Sequence, residues 1–413
     1  MVLVFNIYFF SLINYGFNRL NKYGLAIIKL CGTSFNIQEK NRYKFKTVIS
    51  GIKQVYFAPI KPIPFSCFDK DIIYDLTPQS ETNRLNYIKE ISEKKTELCF
   101  VAGSELVIYE TGLTKIVFLI LSIPIQLNVL VFGIIKRDKS GINSILANLL
   151  ITSNLLKICK KSQVKNITLF CIYDTNSVFL TVCLQKINVF VNAVTSEVPL
   201  YKWNKIIVAD HLIICSEYQK IELEKFKKTI KYQSYQLAEP EVYYEVKDLY
   251  TSDQHYSNNL GFLSTGGWVR NRLGHINQGI DIELNENTIL KDLNDILKTN
   301  RHINLIVYPH PREAKYFDNN KQKLFEFYKS KLPDIDFEMN TSEKPSNQLF
   351  NETYLSICYM TTIIFERLHS RRKSAIIYFK EEFFPLEFNS NFLSFIKDKK
   401  SLNDLIVKTY CQL

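Results

Sequence analysis

The chain has 413 residues, of which 46% are hydrophobic and 13% aromatic. This length exceeds what one hydrophobic core usually serves and predicts two domains, and the composition excludes a disordered or collagen-like chain. The formal net charge of +11 predicts an attraction to anions. The sequence has no zinc-finger spacing, basic zipper or RNP-type strand, so we expect no nucleic-acid partner.

The nine cysteines are widely spaced and mostly stand in apolar runs, which predicts reduced thiols of a cytoplasmic protein and no metal site. Residues 117–135 are uncharged and long enough to span a bilayer. Because Pro124 and Asn128 interrupt this segment, we favour a buried or membrane-resting segment and keep a membrane span as the alternative. The first thirty residues are apolar but show no secretory signal pattern, and residues 1–90 are too irregular to assign.

From residue 166 onward, apolar strand patterns alternate with amphipathic helical patterns, which is typical of parallel sheets with crossover helices. Strands are predicted at 166–173, 187–191 and 206–215, with helices at 177–185 and 217–228. Residues 238–259 lose this periodicity and are predicted to connect the domains. Strands are then predicted at 260–264, 303–308, 335–338, 355–358 and 375–379, with helices at 286–298, 321–331 and 362–369. The prediction is an α/β fold with domains 1–245 and 246–413.

The most informative motif follows the strand at 303–308, where the sequence reads Pro309-His310-Pro311-Arg312. Ligands of open α/β sheets bind at the carboxyl ends of the strands, so His310 is predicted to lie at a ligand site. The flanking prolines restrict the backbone and hold the imidazole in a nearly fixed direction. Pro311 and Arg312 are further binding candidates. The alternative is a histidine that only ends the strand and packs against the next helix.

Two other strand ends of the same domain contain hydroxyl groups or glycines. One is a threonine pair at a strand-to-helix junction, where hydroxyl and N–H groups can bind phosphate and a glutamate one turn later can bind ribose. The other is a Thr-Gly-Gly turn that allows a ligand to approach the backbone. A simple helix cap and a tight turn without ligand are the alternatives. The binding candidates are Thr265, Gly266, Gly267, Thr361, Thr362 and Glu366.

Together, the Tyr-Pro-His-Pro-Arg-Glu string and the threonine pair resemble motifs of bacterial sialyltransferases of the GT-B fold. The resemblance implies two Rossmann-like domains facing a cleft, with the acceptor on the N-terminal side. It also implies that His310 and Pro311 bind the phosphate of a CMP donor, that His310 acts as the acid, and that Thr361 and Thr362 contact the phosphate.

The acidic triplet that supplies the general base in those families is missing from this sequence. Candidate replacements at predicted strand ends are Asp174, Glu197 and Asp210. A base must lie within hydrogen-bond reach of the acceptor hydroxyl, and the sequence leaves the choice among the three open. The scheme requires no metal and no further cofactor.

We therefore predict an inverting, metal-independent glycosyltransferase. It would move a sugar, such as sialic acid from a CMP donor, onto a glycan or glycolipid of capsule, lipooligosaccharide or O-antigen. The positive charge and apolar N-terminal region predict a cytoplasmic protein peripherally attached to the inner face of the cell membrane. The alternatives are a CMP-polyol phosphotransferase of the teichoic-acid type and a non-catalytic, membrane-associated component of polysaccharide assembly.

Overall fold

A computed structural model of the chain divides into two compact units, Met1–Glu241 and Val242–Leu413. The predicted boundary between residues 245 and 246 stays a prediction, because the residues around it are outside the described part. The structure describes residues 2–16, 21–23, 25–26, 69–76, 78–92, 97–106, 120, 141–170, 172, 176–195, 206–215, 217–239, 241, 259–272, 282–340, 351–359, 361, 363–364, 367, 370–377 and 392–410.

The first unit alternates helices and strands along the described chain. Its helices are α1 (Val2–Gly16), α2 (Glu81–Ile91), α3 (Gly103–Leu106), α4 (Gly141–Lys161), α5 (Ser177–Gln185) and α6 (Glu217–Lys225), and a 3-10 turn covers Pro78–Ser80. Its strands are β1 (Asp71–Asp75), β2 (Leu98–Ala102), β3 (Asn166–Leu169), β4 (Phe190–Val194), β5 (Ile207–Val208), β6 (His211–Ile214), β7 (Ile230–Lys231) and β8 (Ser234–Leu237).

Six of these strands form a sheet in the order β2-β1-β3-β4-β6-β8, and each described pairing is parallel. Strands β5 and β7 form a separate parallel pair. Most residues of the middle strands β3 and β4 are buried, although Phe190 at the start of β4 is exposed, and α5 buries nearly all of its side chains. Helix α1 packs against α4 and α5.

The second unit repeats the α/β alternation. Its strands are β9 (Leu260–Leu263), β10 (Leu305–Tyr308), β11 (Phe337–Met339), β12 (Leu355–Cys358), β13 (Lys373–Ile377) and β14 (Leu393–Ile396). Its described helices are α7 (Gly267–Arg272), α8 (Ile282–Thr299), α9 (Pro311–Tyr316), α10 (Lys321–Lys331) and α11 (Lys399–Tyr410).

These strands form a parallel sheet in the order β11-β10-β9-β12-β13-β14. This is the doubly wound order in which the first strand lies in the middle and the chain continues outward first on one side and then on the other. The order reverses between β9 and β12. Such a switch point opens a crevice at the carboxyl ends of the two strands, because the loops that follow them leave toward opposite faces of the sheet.

Most predicted elements of the second unit are confirmed, with ends shifted by a few residues. The predicted strand 206–215 is wrong, because the structure breaks it at Asp210 into β5 and β6, which belong to different sheets. The predicted strand 187–191 begins at Phe190 instead, since Asn188 adopts a positive φ of 60° in the turn before it.

Among the described cysteines, Cys159, Cys183 and Cys358 are buried free thiols and Cys215 is a half-buried one. The expectation of reduced cysteines throughout is wrong at Cys99 in β2, which is disulfide-bonded. Apart from residue 120, the apolar segment 117–135 lies outside the described residues. Within the described part, no helix combines the length and apolar composition needed to cross a membrane.

Candidate functional site

The carboxyl ends of β9, β10 and β12 lie side by side in the second unit. Leu263, the last residue of β9, pairs with Tyr308 at the end of β10 and with Cys358 at the end of β12. The loops that follow the three strands are the three motifs singled out in the sequence. Register thus brings the Thr-Gly-Gly turn, the His-Pro motif and the threonine pair to one edge of the sheet, beside the switch point.

His310 begins helix α9 as its N-cap residue, with an extended backbone (φ −69°, ψ 142°). Its Nδ1 accepts a hydrogen bond from the Arg312 backbone N–H at 3.1 Å. In the neutral ring the proton therefore resides on Nε2. Pro311 occupies the first helical position, where a missing N–H costs nothing. The imidazole is partly exposed and presents a hydrogen-bond donor at the strand end.

Gly266 supports the imidazole from the neighbouring loop. Its φ is +67°, and a Cβ built on it would lie 3.1 Å from His310 Cγ. Glycine is therefore required here for two reasons, the backbone conformation and the close approach of the ring. Two residues predicted as site members from separate motifs are thus in contact.

Glu313, in the first turn of α9, holds the backbone of His310 through a hydrogen bond. It is fully buried, and its Oε2 accepts from the His310 backbone N–H at 2.6 Å. Its Oε1 accepts from Ser264 Oγ at 3.0 Å and Trp268 Nε1 at 2.5 Å, and Tyr328 Oη donates to Oε2 at 2.9 Å. Burial and the nearby negative charge of Glu286 raise the pKa of Glu313 to about 7.

Glu286 of α8 holds the backbone of the loop after β9 in the same way, by accepting hydrogen bonds from it. Its Oε1 accepts from the backbone N–H and the hydroxyl of Thr265, both at 2.6 Å, and its Oε2 accepts from the Gly267 N–H at 2.8 Å. The Gly266 N–H donates to Ser264 Oγ at 3.0 Å. The N–H groups of this turn are thus bonded within the protein, so nucleotide binding by Thr265, Gly266 and Gly267 stays a prediction that these N–H groups do not support.

Aromatic packing holds the two carboxylates in place. The Trp268 ring lies 4.3 Å from that of Phe327 and 5.2 Å, edge-on, from that of Tyr316. These contacts exclude water around Glu313, which explains why its charge is disfavoured there. A small internal cavity beside the pair is lined partly by Phe262, Ser264, Glu286 and Tyr328.

The threonine motif is only partly described. Thr361 follows β12, is partly exposed, and accepts a weak hydrogen bond from the Ile364 N–H at 3.4 Å. Thr362 and Glu366 lie outside the described residues. Arg367 is buried and donates to Thr353 Oγ1 at 3.2 Å and to the Lys373 carbonyl at 3.2 Å, at the amino ends of β12 and β13. Its guanidinium therefore joins the strands at the edge opposite the candidate site.

Of the three predicted general bases, Asp174 and Glu197 lie outside the described residues. Asp210 stands just before β6, at the amino end of the strand. Its carboxylate accepts from Gln185 Nε2 at 2.8 Å, from Gln233 Nε2 at 2.9 Å and from the Val191 N–H at 2.8 Å. The structure thus places Asp210 at the sheet edge opposite the strand carboxyl ends, and a role as base stays a prediction.

A polar cluster that the sequence analysis missed lies at the carboxyl end of β1. Asp75 Oδ2 accepts from Arg84 Nε at 3.0 Å and from Ser80 Oγ at 2.8 Å. Arg84 also pairs with Glu241, and its guanidinium carbon lies 4.4 Å from the centre of the Phe170 ring. This arginine between two carboxylates is an ion-pair network at the edge where a ligand of the first unit would bind.

The two carboxylates behind His310 were also missed, and one of them has a local signal. An acidic residue three positions after an N-cap is the capping-box pattern, which Glu313 satisfies relative to His310. Glu286 has no such signal, because its partners are 19 to 21 residues away along the chain.

No protein-family profile matches the sequence. No curated protein matches it either. Among solved structures, S. aureus MnaA with UDP covers 84% of this chain and 90% of its own, with a TM-score of 0.50 at 11% identity. A UDP-GlcNAc 2-epimerase from Methanocaldococcus jannaschii covers 83% and 91%, with a TM-score of 0.49 at 12% identity. The UDP-GlcNAc 2-epimerase from Neisseria meningitidis bound to UDP-GlcNAc covers 83% and 90%, with 0.48 at 9%.

At such identities the likeness concerns the fold alone. The likeness to the S. aureus structure agrees with the two parallel sheets and with the doubly wound strand order of the second unit. The predicted fold class, α/β and GT-B-like with two Rossmann-like domains, is confirmed.

Proposed function

We propose that the chain is a glycosyltransferase that uses a nucleotide-sugar donor bound in the second unit. The observation that carries the proposal is the fixed presentation of His310 at the carboxyl end of β10, beside the β9–β12 switch point. A partly exposed histidine held by its own N-cap hydrogen bond and by a buried carboxylate is preorganised to meet a phosphate.

In the proposed reaction the acceptor hydroxyl attacks the anomeric carbon of the donor. The bond from this carbon to the phosphate oxygen breaks, and its electron pair stays on the phosphate. The Nε2–H group of His310 donates a hydrogen bond to that oxygen and stabilises its negative charge, while a carboxylate takes the proton of the acceptor. This inverting scheme needs no metal. Asp174, Glu197 and Asp210 stay the candidate bases. We favour Asp174 and Glu197, because each follows a strand of the first sheet in sequence, β3 and β4, whereas Asp210 precedes β6.

The donor phosphate would contact the side chains of this edge. His310, Arg312 and Thr361 are at least partly exposed there, whereas the N–H groups of the Thr-Gly-Gly turn already bind Glu286. Contacts by Pro311, Thr362 and Glu366 belong to the same proposal. An exposed arginine beside a histidine suits a phosphate diester, whose charge both groups can meet.

The nucleotide part of the donor has two candidates, CMP and UDP. The sialyltransferase-like motifs favour a CMP donor, such as CMP-linked sialic acid. UDP-sugar chemistry is the second candidate, because the S. aureus MnaA structure, which has the same fold, contains UDP. The proposed acceptor is a surface glycan, and the proposed location is the inner face of the cell membrane. A CMP-polyol is the alternative donor.

The test is nucleotide binding by calorimetry, with CMP, UDP, GDP and TDP titrated against the purified chain. His310→Ala is compared with His302→Ala, a matched control because His302 is an exposed histidine of the same unit. We expect one nucleotide to bind, and its affinity to fall at least about tenfold in His310→Ala, by loss of a charge-assisted hydrogen bond. The control should bind as the unchanged chain does.

The outcomes separate the candidates. CMP binding followed by turnover of CMP-sialic acid or CMP-glycerol distinguishes sugar transfer from polyol-phosphate transfer. UDP binding with turnover of UDP-GlcNAc supports the second candidate. If no nucleotide binds, or if both histidine variants bind equally well, the proposal is wrong and a non-catalytic role gains support.

A further inference from the structure

Helix α1 turns two adjacent phenylalanines outward. Its inner face is buried against α4 and α5, whereas Phe9 is 37% exposed and Phe10 is 51% exposed. Asn6, one turn earlier, is also exposed, so the outward face follows the helical spacing. Single exposed apolar side chains are ordinary, but Phe9 and Phe10 at consecutive helical positions together leave a large apolar area in water at this side of α1.

Two lysines flank this patch. The Phe10 ring packs edge-on against Tyr23 at 4.8 Å, and the ammonium groups of Lys22 and Lys186 lie 5.8 and 5.7 Å from the centre of the Tyr23 ring. Lys22 also donates to Gln185 at 2.9 Å. Both cations are thus held next to the aromatic pair instead of pointing freely into solvent.

The same edge of the sheet contains further lysines and a third exposed phenylalanine. Helix α4 ends at Lys161 and is followed by Lys165 before β3, and α5 is followed by Lys186 before β4. Phe190, the first residue of β4, is 41% exposed, and its N–H donates to the Lys165 carbonyl. Because β3 and β4 are parallel neighbours, these residues share the amino-terminal edge of the sheet.

The carboxylates described at this edge are fewer than its lysines. Asp210 is buried, Asp71 accepts from Asn166 at 3.0 Å, and the exposed Asp69 precedes β1, with its N–H donating to the Ser162 carbonyl. Glu97 pairs with another lysine, Lys70, farther along the edge. The amino-terminal edge around β3 and β4 is therefore basic and also exposes aromatic side chains.

We propose that this edge, with Phe9, Phe10, Phe190, Lys22, Lys165 and Lys186, binds the surface of an anionic lipid bilayer. Aromatic side chains enter the headgroup region, and lysines around them meet the anionic headgroups. Burial of the phenyl rings in lipid removes their apolar surface from water, and the lysines beside them favour an anionic surface as the partner. The surface lies at the opposite edge of the sheet from the strand carboxyl ends, so lipid would leave those ends free.

The test is cosedimentation of the full chain with vesicles of phosphatidylcholine, with and without phosphatidylglycerol. We expect binding to the anionic vesicles, weakened by salt. F9S/F10S should reduce the partition coefficient at least about tenfold through lost apolar burial. K165Q and K186Q should each reduce it about fivefold.

The matched controls are I221S and L284S, which remove side chains that are 52% and 60% exposed elsewhere. They should change binding by less than about twofold. Equal binding to neutral and anionic vesicles, unchanged binding of F9S/F10S, or an equal loss in the controls would overturn the proposal. A dimer that F9S/F10S converts to monomer, without vesicle binding, would identify the surface as a contact between two copies. Because no nucleotide is involved, either result leaves the proposed transfer reaction independently testable.

Discussion

The buried carboxylate of Glu313 makes the stability of the second unit depend on pH. Burial, followed by the charge of Glu286, raises its pKa from the ordinary 4.5 to about 7. The folded chain therefore holds this proton more tightly than the unfolded chain does. Between the two pKa values the folded state binds more protons, so the free energy of unfolding falls as the pH rises through this window.

The size of the effect follows from the shift. Each pKa unit corresponds to about 1.4 kcal/mol, so Glu313 lowers the unfolding free energy by about 3 kcal/mol between pH ~4.5 and pH ~8. Glu313→Gln removes this proton equilibrium. Its amide retains one acceptor oxygen but turns an N–H2 group toward donors such as the His310 N–H, which costs about 1–3 kcal/mol at low pH. The variant should therefore be less stable in acid and as stable as the unchanged chain, or more stable by up to about 2 kcal/mol, near pH ~8.

Urea unfolding at several pH values measures this directly, with the second unit followed by Trp268 fluorescence in chains that all contain Trp203→Phe, because Trp203 belongs to the first unit. The control is Glu326→Gln, which changes an exposed carboxylate of α10. The unfolding free energy of Glu313→Gln relative to the unchanged chain should rise by about 3 kcal/mol across the range, and that of the control should stay flat. A constant difference for Glu313→Gln would refute a buried carboxyl that retains its proton near neutral pH.

Three further changes have defined outcomes. Gly266→Ala should cost about 1–2 kcal/mol in urea unfolding because of its positive φ, and should shift the His310 ring signals in NMR spectra because the new Cβ would touch the imidazole. Arg367→Lys should cost about 3 kcal/mol or more in the same unfolding measurement, since an ammonium group cannot reach the four acceptors that surround the buried guanidinium. Burial raises the pKa of Cys159 and of Cys358 to about 12, so mass spectrometry should find both thiols unlabelled by iodoacetamide until the chain unfolds.

Elements with a strong local signal were predicted closely. The predicted helices 177–185 and 321–331 and the predicted strand 355–358 have the observed bounds, because apolar runs of the right length are closed by polar residues or a cap. The strand predicted at 206–215 failed for a non-local reason. Asp210 receives hydrogen bonds from Gln185, Val191 and Gln233, which bend the chain into two sheets, and none of these contacts has a signal in the apolar pattern.

The same contrast explains the candidate site. His310 was identifiable because a strand, two prolines and an N-cap are consecutive in the sequence, whereas the contact of Glu286 with the loop after β9 exists only after α8 has packed. That contact changes the chemistry expected of the loop. In many doubly wound domains the N–H groups of the first turn bind the phosphate of the ligand. Here the Glu286 carboxylate accepts from N–H groups of that turn, so under the proposed function a donor phosphate would contact the side chains around His310. Specificity for the donor would then depend on side chains, which are easily exchanged, and not on the backbone of the turn.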